Sequence, residues 1–437
     1  MIRWPVTRPP YNNRKGKLMS DHERKTDRQE RIPYFLQSNI RKAKVAVIGA
    51  GATGNEVLKC LALTGFGYVY ITDMDHISTS NLSRTVLFNE NDVGKRKAQT
   101  AAERYCDMCI ETAGTDVFDG DLCHGLGEGV IRHVDLVIGC VDNEQTRLFV
   151  SNLCQLLGKP YIDTGIGGFN WNVFAASGKS DCPCYACTMS QKQEQLALDR
   201  IRNSCDVTRR MAASTGHVPT IGISAASAGA LAVQEAIKVC HHLFDADSNL
   251  LTPRYGWMSC FSAEENELKN VRFRVRSDCE HHDNYTDYGG VHETPMSARW
   301  KLKDILAWVE AQYGKQYAIA LYKDNVCAER SFITKAFCKS CGAEIDVYQP
   351  QPLQDEDLIC DTCRAAKRDP QLPSNAIRKN MFDSTDELRL QEMTLLELGI
   401  PLLHILEFAP VDEQEDSLYL ELTGDLEEIM PNLPKGE

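Results

Sequence analysis

The sequence lacks the features that mark membrane proteins, secreted proteins and nucleic-acid-binding proteins. Its 48 lysines and arginines are outnumbered by 61 aspartates and glutamates, which gives a net charge of -13. An acidic chain disfavours nonspecific binding to nucleic acids and membrane surfaces. The N-terminus has no apolar core of the signal-peptide type, and no apolar run approaches the ~18 residues of a membrane span. We therefore expect a cytoplasmic protein that binds neither nucleic acid nor a membrane.

Cysteine, by contrast, is abundant, with 18 residues in a chain of 437. In a reducing cytoplasm these cysteines should not form disulfide bonds. Metal ligation is the better interpretation for those in CxxC pairs, and buried thiols for most of the others.

The order of apolar segments predicts a large α/β domain followed by a smaller region. Between residues 44 and 147, short apolar strands alternate with helical stretches, which is typical of a doubly wound, mostly parallel, Rossmann-like sheet with helices on both faces. We expect an N-terminal arm over 1–30, ending in a short helix. The α/β domain should cover 31–288, with a polar crossover loop over 188–219. Two strands near 254–260 and 271–276 should complete this domain.

The C-terminal region, 289–437, has a different character. A helix is expected over 298–313, followed by short strands around two CxxC pairs. Residues 384–420 should contain an apolar helix and one strand. This pattern predicts a small α+β region that contains a zinc ribbon.

A glycine pattern follows the first strand of the α/β domain. Gly49, Gly51 and Gly54 allow a tight strand-to-helix turn and close approach of the backbone to a phosphate. Asp73 follows Gly49 by 24 positions, at the end of the next predicted strand, where a carboxylate can accept both ribose hydroxyls. These two features fit NAD as well as ATP.

Four further residues favour ATP. Asn81 and Arg84 lie in a loop just after the second strand, Lys97 opens a helix, and Asp142 ends the strand LVIGCVD. A carboxylate at the carboxyl end of a strand is a usual position for Mg²⁺. Each cation alone could be a solvated surface charge, but the series in this order is unexpected in a nicotinamide oxidoreductase.

These segments resemble the ThiF/MoeB and ubiquitin-activating (E1-like) superfamily of adenylyltransferases. The resemblance covers about residues 24–285 and rests on AKVAVIGAGATG, Asp73, NLSR, GKRKA and DNEQTR. Asp27-Arg28-Gln29 is similar to the N-terminal arginine motif of that family, although Thr26 stands where an aromatic residue is usual.

The resemblance implies a role for each matching residue. Asp73 would bind the ribose of ATP, Arg84 and Lys97 would contact the triphosphate, and Asp142 would hold Mg²⁺. Arg28 would reach into the nucleotide site of a neighbouring subunit, which implies a symmetric homodimer.

Two sets of residues have the spacing of zinc ligands. The first combines two cysteines of the PCYAC segment with a later CxxH pair, and the second is a pair of CxxC motifs separated by 18 residues. Both are acceptable ligand sets for a closed, structural zinc site. The alternative for the first set is a group of buried thiols without metal. The predicted ligands are Cys184, Cys187, Cys279 and His282 for the first site, and Cys338, Cys341, Cys360 and Cys363 for the second.

Cys205 is the candidate nucleophile. It lies in the polar crossover among Arg202, Arg209 and Arg210, and neighbouring cations lower the pKa of a thiol. In relatives that form thioesters, the reactive cysteine lies between the CxxC pair and the helix that begins here near residue 220. The alternative is an incidental surface cysteine.

The sequence therefore predicts an ATP-dependent enzyme that activates a ubiquitin-like protein. It would adenylate the C-terminal carboxylate of that protein and then take it as a thioester for a conjugating enzyme. One alternative is adenylation of a sulfur-carrier protein for molybdopterin-type or thiamine-type sulfur transfer. Another is a non-catalytic zinc adaptor on an adenylation fold.

Overall fold

The fold is known from a computed structural model. It describes residues 24–202, 219–245, 251–321, 331–350, 358–367, 375–411 and 416–435.

An eight-stranded sheet forms the centre of the first domain. Its order is β3-β2-β1-β4-β5-β6-β7-β8. The first five strands in this order are parallel and the last three are antiparallel. The strands are β1 (Lys44–Ile48), β2 (Tyr68–Thr72), β3 (Gly114–Phe118), β4 (Leu136–Gly139), β5 (Tyr161–Gly167), β6 (Asn170–Ala176), β7 (Trp257–Ser262) and β8 (Glu267–Arg272).

Helices cover both faces of this sheet. In chain order they are α1 (Asp27–Glu30), α2 (Gln37–Lys42), α3 (Ala52–Thr64), α4 (Lys97–Met108), α5 (Leu122–Gly125), α6 (Glu128–His133), α7 (Glu144–Leu156), α8 (Gln191–Arg202) and α9 (Gly222–Phe244). Residues of α3, α4 and α9 share one core cluster with the sheet, and residues of α5, α6 and α7 share another. The predicted α/β fold with a mostly parallel sheet is confirmed.

The C-terminal region contains two smaller sheets. Their orders are β14-β10-β15-β16-β9 and β12-β11-β13. The elements are β9 (Val291–Thr294), α10 (Leu302–Tyr313), β10 (Tyr317–Ala320), β11 (Phe332–Phe337), β12 (Glu344–Pro350), α11 (Asp361–Ala365), β13 (Ala376–Lys379), β14 (Met381–Phe382), α12 (Leu388–Gln391), β15 (Ile405–Pro410), β16 (Leu418–Leu422) and α13 (Leu426–Ile429). Leu403 and Met430 of this region are buried in the same cluster as Tyr68 and Tyr161 of the first domain.

Three segments differ from the sequence-based expectations. Residues 191–202 of the predicted crossover loop form a helix, because this stretch is rich in the straight-chain residues that favour helices. The eighth strand is Glu267–Arg272 rather than 271–276, since Asn266 adopts φ 51° and closes a tight turn after β7. Residues 392–404 form turns instead of an apolar helix, and two strands follow. Gly399, with φ 86°, breaks this segment.

Helix α9 is long and apolar enough to cross a membrane, by length and composition alone. Ala228, Ala232 and Ala236 on this helix are fully buried in the main core. Their small side chains allow close packing of α9 on the sheet and on α3. Because this face is buried, α9 is a core helix of the first domain.

Candidate functional site

A glycine-rich turn joins β1 to α3, and two of its glycines are required by local packing. Gly49 has φ 96°, and a Cβ added there would lie 2.7 Å from the carbonyl oxygen of Cys140. A Cβ on Gly54 would lie 2.0 Å from the carbonyl oxygen of Gly49. A Cβ on Gly51 would meet no protein atom within 4 Å. Protein packing therefore does not explain Gly51, whereas a phosphate that approaches the start of α3 would.

The different surroundings of Gly51 and Gly54 predict different effects of an alanine at each position. Gly54→Ala should lower the free energy of unfolding by about 2–3 kcal/mol, because the new methyl group overlaps a backbone oxygen. Gly51→Ala should change it by less than about 0.5 kcal/mol, but should weaken ATP binding about tenfold or more, since the methyl group takes space needed by a phosphate. Chemical denaturation and nucleotide titration measure the two effects. Wild-type ATP affinity in Gly51→Ala would contradict the phosphate assignment.

Asp73 follows β2 and is bonded to the glycine-rich turn. Its Oδ2 accepts from the backbone N–H of Ala50 at 2.7 Å, and its Oδ1 accepts from the N–H of Asp75 at 2.8 Å. Burial raises the pKa of Asp73, while the nearby Lys97 charge and these N–H donors act in the opposite direction. The carboxylate is therefore held in a fixed orientation beside the turn, where a ribose of a bound nucleotide could reach it.

Asn55 is a site residue that the sequence analysis missed. It is fully buried, and its Nδ2 donates to the carbonyl oxygens of Ala50 at 2.8 Å and Gly51 at 3.0 Å. Its Oδ1 accepts from the N–H of Leu87 at 2.9 Å. One side chain thus ties the glycine-rich turn to the loop that follows Arg84. An asparagine directly after the third glycine was the available signal.

Asn81 and Arg84 lie on a short 3-10 turn, Thr79–Asn81, and the chain that follows it. The Asn81 Oδ1 accepts from the N–H of Ser78 at 2.9 Å, and Arg84 Nη1 donates to the carbonyl oxygen of Ser80 at 2.7 Å. The half-buried Arg84 lies next to the start of α9, because a Cβ added to Gly222 would be 3.6 Å from the Arg84 Cα. The end of the crossover therefore meets the loop that contains Arg84.

Lys97 is the first residue of α4 and is close to both Asp73 and Asp75. Its Nζ lies 2.7 Å from Asp75 Oδ2, with 12% of the lysine side chain and 61% of the aspartate side chain exposed. Ion pairs with an exposed partner contribute only about 0–1 kcal/mol. A triphosphate could therefore replace Asp75 as the partner of Lys97 at little cost.

Asp142 lies at the point where the strand order of the sheet reverses. It follows β4, which is the neighbour of β1, and the N–H of Cys140 donates to the carbonyl oxygen of Ile48 at 2.7 Å. Asp142 itself is exposed. In open α/β sheets ligands bind in the crevice at this reversal. The structure thus brings Asp142 and the glycine-rich turn to the same crevice.

The ion pair between Arg147 and Asp163, next to the loop that contains Asp142, was also not predicted from the sequence. Arg147 of α7 lies 2.5 Å from the fully buried Asp163 of β5, and its Nη2 donates to the carbonyl oxygen of Val141 at 2.7 Å. The Tyr161 hydroxyl donates to the other oxygen of Asp163 at 2.8 Å. The DNEQTR segment contains Arg147, but the sequence does not show that this residue meets Asp163.

Arg28 lies at the opposite end of the domain from the glycine-rich turn. It is exposed on α1, and the neighbouring Gln29 donates to the carbonyl oxygen of Thr64, the last residue of α3, at 2.9 Å. The 13 residues of α3 span about 20 Å at 1.5 Å per residue. An arginine side chain does not cover that distance, so Arg28 in this position does not contact the nucleotide site of its own chain.

The first predicted zinc set forms a compact cluster at the base of α8, here called the cysteine–histidine cluster. The four ligand atoms lie within 4.8 Å of one another. The Cys184 Sγ is 3.9 Å from that of Cys187 and 3.6 Å from that of Cys279, and the Cys187 Sγ is 3.2 Å from His282 Nε2. Thiolates about 2.3 Å from a tetrahedral zinc lie about 3.8 Å apart. The residues therefore fit a metal site with three thiolates and one imidazole.

The second predicted zinc set lies beside the three-stranded sheet, in the turn between β11 and β12 and at the start of α11. Its four sulfurs also lie within 4.8 Å of one another, with the Cys341 and Cys360 sulfurs 3.8 Å apart. The N–H of Cys360 donates to the Cys338 sulfur at 3.4 Å. This donor and the N–H groups of Ser340 and Cys341 together lower the pKa of the Cys338 thiol to about 6. The thiolate is the form that binds metals, so this cluster also fits a closed site, with four thiolates as ligands.

The other predicted cysteines have different outcomes. Cys60 and Cys140 pack against the main core, as expected, and burial raises the pKa of Cys140 to about 12. Cys205 lies outside the residues that the structure describes, and its assignment as a nucleophile stays a prediction. The described ends of the crossover are Arg202 and Pro219, and the N–H of Gly168 donates to the Pro219 carbonyl at 2.7 Å.

Several curated proteins are similar to parts of this chain. The SUMO-activating enzyme subunit uba-2 of Caenorhabditis elegans is 35% identical over 156 residues, which cover 36% of this chain and 26% of the relative. The adenylyltransferase and sulfurtransferase UBA4 of Candida albicans is 32% identical over 189 residues, covering 41% of this chain and 42% of the relative. The sulfur carrier protein adenylyltransferase of Thermus thermophilus is 31% identical over 208 residues, covering 46% of this chain and 71% of the relative.

For most of these curated relatives, the chain spans only about a quarter to a half of the relative's length. Among solved structures, E. coli MccB with ATP matches with a TM-score of 0.45 and 20% identity, covering 56% of this chain and 68% of MccB. The profile of the ThiF family matches residues 23–280. This match includes more than half of the chain, and the chain therefore belongs to the ThiF family.

Proposed function

We propose that this protein uses ATP to adenylate the C-terminal carboxylate of a small ubiquitin-like protein, here called the cargo. The convergence of the glycine-rich turn, Asp73, Lys97 and Asp142 on one crevice of the sheet is the observation that supports this most strongly. Family membership and the named activities of the relatives agree with it.

In the proposed reaction, an oxygen of the cargo carboxylate attacks the α-phosphorus of ATP. The bond from this phosphorus to the bridging oxygen breaks, and pyrophosphate leaves with the electron pair. The start of α3 would bind phosphate through backbone N–H groups. Arg84 and Lys97 would stabilise the charge that develops on the phosphate oxygens, and Asp73 would orient the ribose.

Asp142 would hold the magnesium ion of the ATP complex. Its exposed carboxylate at a strand end suits the oxygen-ligand chemistry and partial hydration of Mg²⁺. Bound Mg²⁺ would neutralise charge on the triphosphate and on the leaving pyrophosphate.

A second step on Cys205 is part of the proposal. The thiolate would attack the carbonyl carbon of the adenylate, AMP would leave, and a thioester would preserve the activation for a conjugating enzyme. The described end of the crossover supports this, because residues 219–222 run beside Gly168 and Arg84. The crossover thus starts from the cysteine–histidine cluster and ends at the loop that contains Arg84.

A non-reducing gel tests the thioester step. With ATP and cargo, the wild-type protein should form a heavier species that disappears when a thiol reductant is added. Cys205→Ala should lose this species and keep ATP–pyrophosphate exchange, because adenylation does not use the thiol. Cys106→Ala is the matched control, since Cys106 is an exposed cysteine on α4 whose sulfur contacts Thr115 of β3.

Two outcomes would contradict the Cys205 assignment. If Cys205→Ala keeps the heavier species, another cysteine is the nucleophile. If the wild-type protein exchanges pyrophosphate but never forms the species, adenylation of a sulfur-carrier protein becomes the better function. Relatives of both kinds are similar to this chain.

The two cysteine-containing clusters are proposed to hold structural zinc. We expect about two zinc ions per chain by metal analysis, because each cluster offers four ligands and no open position. Cys338→Ser should reduce the zinc content by about one ion and destabilise the three-stranded sheet. It should retain pyrophosphate exchange, since the nucleotide site lies in the other domain. Loss of exchange together with the C-terminal zinc would show that the two regions are not independent.

The C-terminal region is proposed to recruit the protein that receives the cargo. Its zinc-ribbon-like sheet lies outside the ThiF match, which ends at residue 280. The proposed assembly is a homodimer in which Arg28 of one subunit serves the nucleotide site of its partner.

A further inference from the structure

Asp142 stands on an exposed loop, and its position depends on how that loop is attached to the fold. The loop runs from the end of β4 to the first residue of α7, Glu144. Asn143 caps α7, with its Oδ1 accepting from the N–H of Thr146 at 2.8 Å. The backbone at Asp142 is therefore held on one side by the start of α7.

Arg147 fixes the loop from the other side. Its Nη2 donates to the carbonyl oxygen of Val141, the residue directly before Asp142, at 2.7 Å. Its Nη1 is held by Asp163, whose second oxygen accepts from Tyr161. Asp163 is fully buried and only 12% of the Arg147 side chain is exposed. A mostly buried guanidinium that is bonded to a fully buried carboxylate has little freedom to move, because a charged group without its partner is costly to bury.

The same arginine contacts the cysteine–histidine cluster. Tyr185 lies between the ligands Cys184 and Cys187, and its hydroxyl is close enough to Arg147 for the guanidinium charge to act on it. The backbone N–H of Tyr185 donates to the hydroxyl of Ser151, one turn further along α7, at 3.0 Å. The turn that holds the cluster therefore meets α7 at two points, and one of them is the residue that fixes the Val141 carbonyl.

We propose that Arg147 is a positioning residue that sets the orientation of the magnesium ligand Asp142, and that Tyr185 connects it to the cysteine–histidine cluster. The inference rests on the proposed function of Asp142. Residues that orient metal ligands typically change metal affinity by about 10–100-fold when they are altered. Arg147 should thus govern the affinity for Mg²⁺ rather than the affinity for the nucleotide itself.

The test measures ATP binding by calorimetry at a series of Mg²⁺ concentrations and needs no cargo. Arg147→Lys keeps a charge opposite Asp163 but lacks the planar fork that reaches both partners. It should raise the Mg²⁺ concentration for half-maximal binding about tenfold or more. The ATP affinity at saturating Mg²⁺ should stay within about twofold of wild type. Tyr185→Phe removes the hydroxyl group beside Arg147 and should raise the same concentration about threefold.

Tyr68→Phe is the matched control. Its hydroxyl donates to the buried Asp116 at 2.7 Å, between β2 and β3 and towards the edge of the sheet away from β5, so the variant also removes a tyrosine–aspartate hydrogen bond. It should lower thermal stability without changing the Mg²⁺ dependence. Thermal unfolding of every variant checks that the fold persists, and Tyr185→Phe keeps the test valid if Arg147→Lys does not fold.

Three results would overturn the inference. Wild-type Mg²⁺ dependence in both Arg147→Lys and Tyr185→Phe would show that the ion pair has only a structural role. An equal shift in Tyr68→Phe would assign the effect to general destabilisation. Failure of the wild-type protein to bind ATP with Mg²⁺ would be a different outcome, because it removes the proposed function and the role of Arg147 with it.

Discussion

Asp142→Ala should lower the rate of cargo-dependent ATP–pyrophosphate exchange by about 10³-fold or more. Without this carboxylate the Mg²⁺ ion would lack its proposed protein ligand, and the charge that develops on the departing pyrophosphate would be poorly compensated. The fold should be unaffected, because Asp142 is exposed and Asn143, not Asp142, caps α7. Exchange of labelled pyrophosphate into ATP measures the effect.

Asp107→Ala provides the control for charge. Asp107 is also exposed, with 74% of its side chain accessible and only a long contact to Arg104, and it lies at the end of α4 away from the crevice. The Asp107→Ala variant should exchange pyrophosphate at the wild-type rate. Full exchange by Asp142→Ala would show that this residue is not part of the nucleotide site. It would also contradict the assignment of this crevice as the nucleotide site.

Arg28→Ala should also be inactive alone, and it should be rescued by mixing with Asp142→Ala protein. In a hybrid dimer, one site would combine the intact Asp142 of one subunit with the intact Arg28 of the other. After complete exchange of subunits at equal amounts, half of the dimers are hybrids with one competent site. Activity should then reach about a quarter of the wild-type value, if the dimer is symmetric and subunits pair at random.

The position of α1 is the structural reason for this expectation. Gln29 bonds to the end of α3 that is remote from the glycine-rich turn, so Arg28 cannot serve its own site without a large movement. Light scattering and labelled subunits must confirm that exchange has occurred. Absence of rescue after verified exchange would count against the shared site, and a monomer by light scattering would exclude it.

The glycine-rich turn and the strand ends were predictable because their signals are local. Gly49 and Gly54 are required by contacts within one strand-turn-helix unit. Asp73 and Asp142 directly follow apolar strands of a parallel sheet, and the carboxyl ends of such strands meet at one edge. The two clusters of candidate metal ligands were predictable from spacing, because a CxxC pair forms one half of a site by itself.

The contacts that orient these groups could not be read from the sequence. Asn55 accepts a hydrogen bond from Leu87, which is 32 positions later. Neither segment has a sequence pattern that predicts this contact. Asp163 lies in an apolar strand, where its charge gives no sign that Arg147 is its partner. In the C-terminal region, short apolar runs such as 392–411 suit a helix or a strand equally well, and tertiary packing selected turns and strands.

The most direct test of the account compares two forms of one cargo protein in the pyrophosphate exchange assay. The first form is a small ubiquitin-like protein that ends in a free glycine carboxylate, and the second is the same protein with that carboxylate amidated. The account predicts rapid exchange with the first form and none with the second or without cargo, because only a free carboxylate can attack the α-phosphorus. Equal exchange with both forms, or exchange without any cargo, would contradict adenylation of a protein C-terminus by this enzyme.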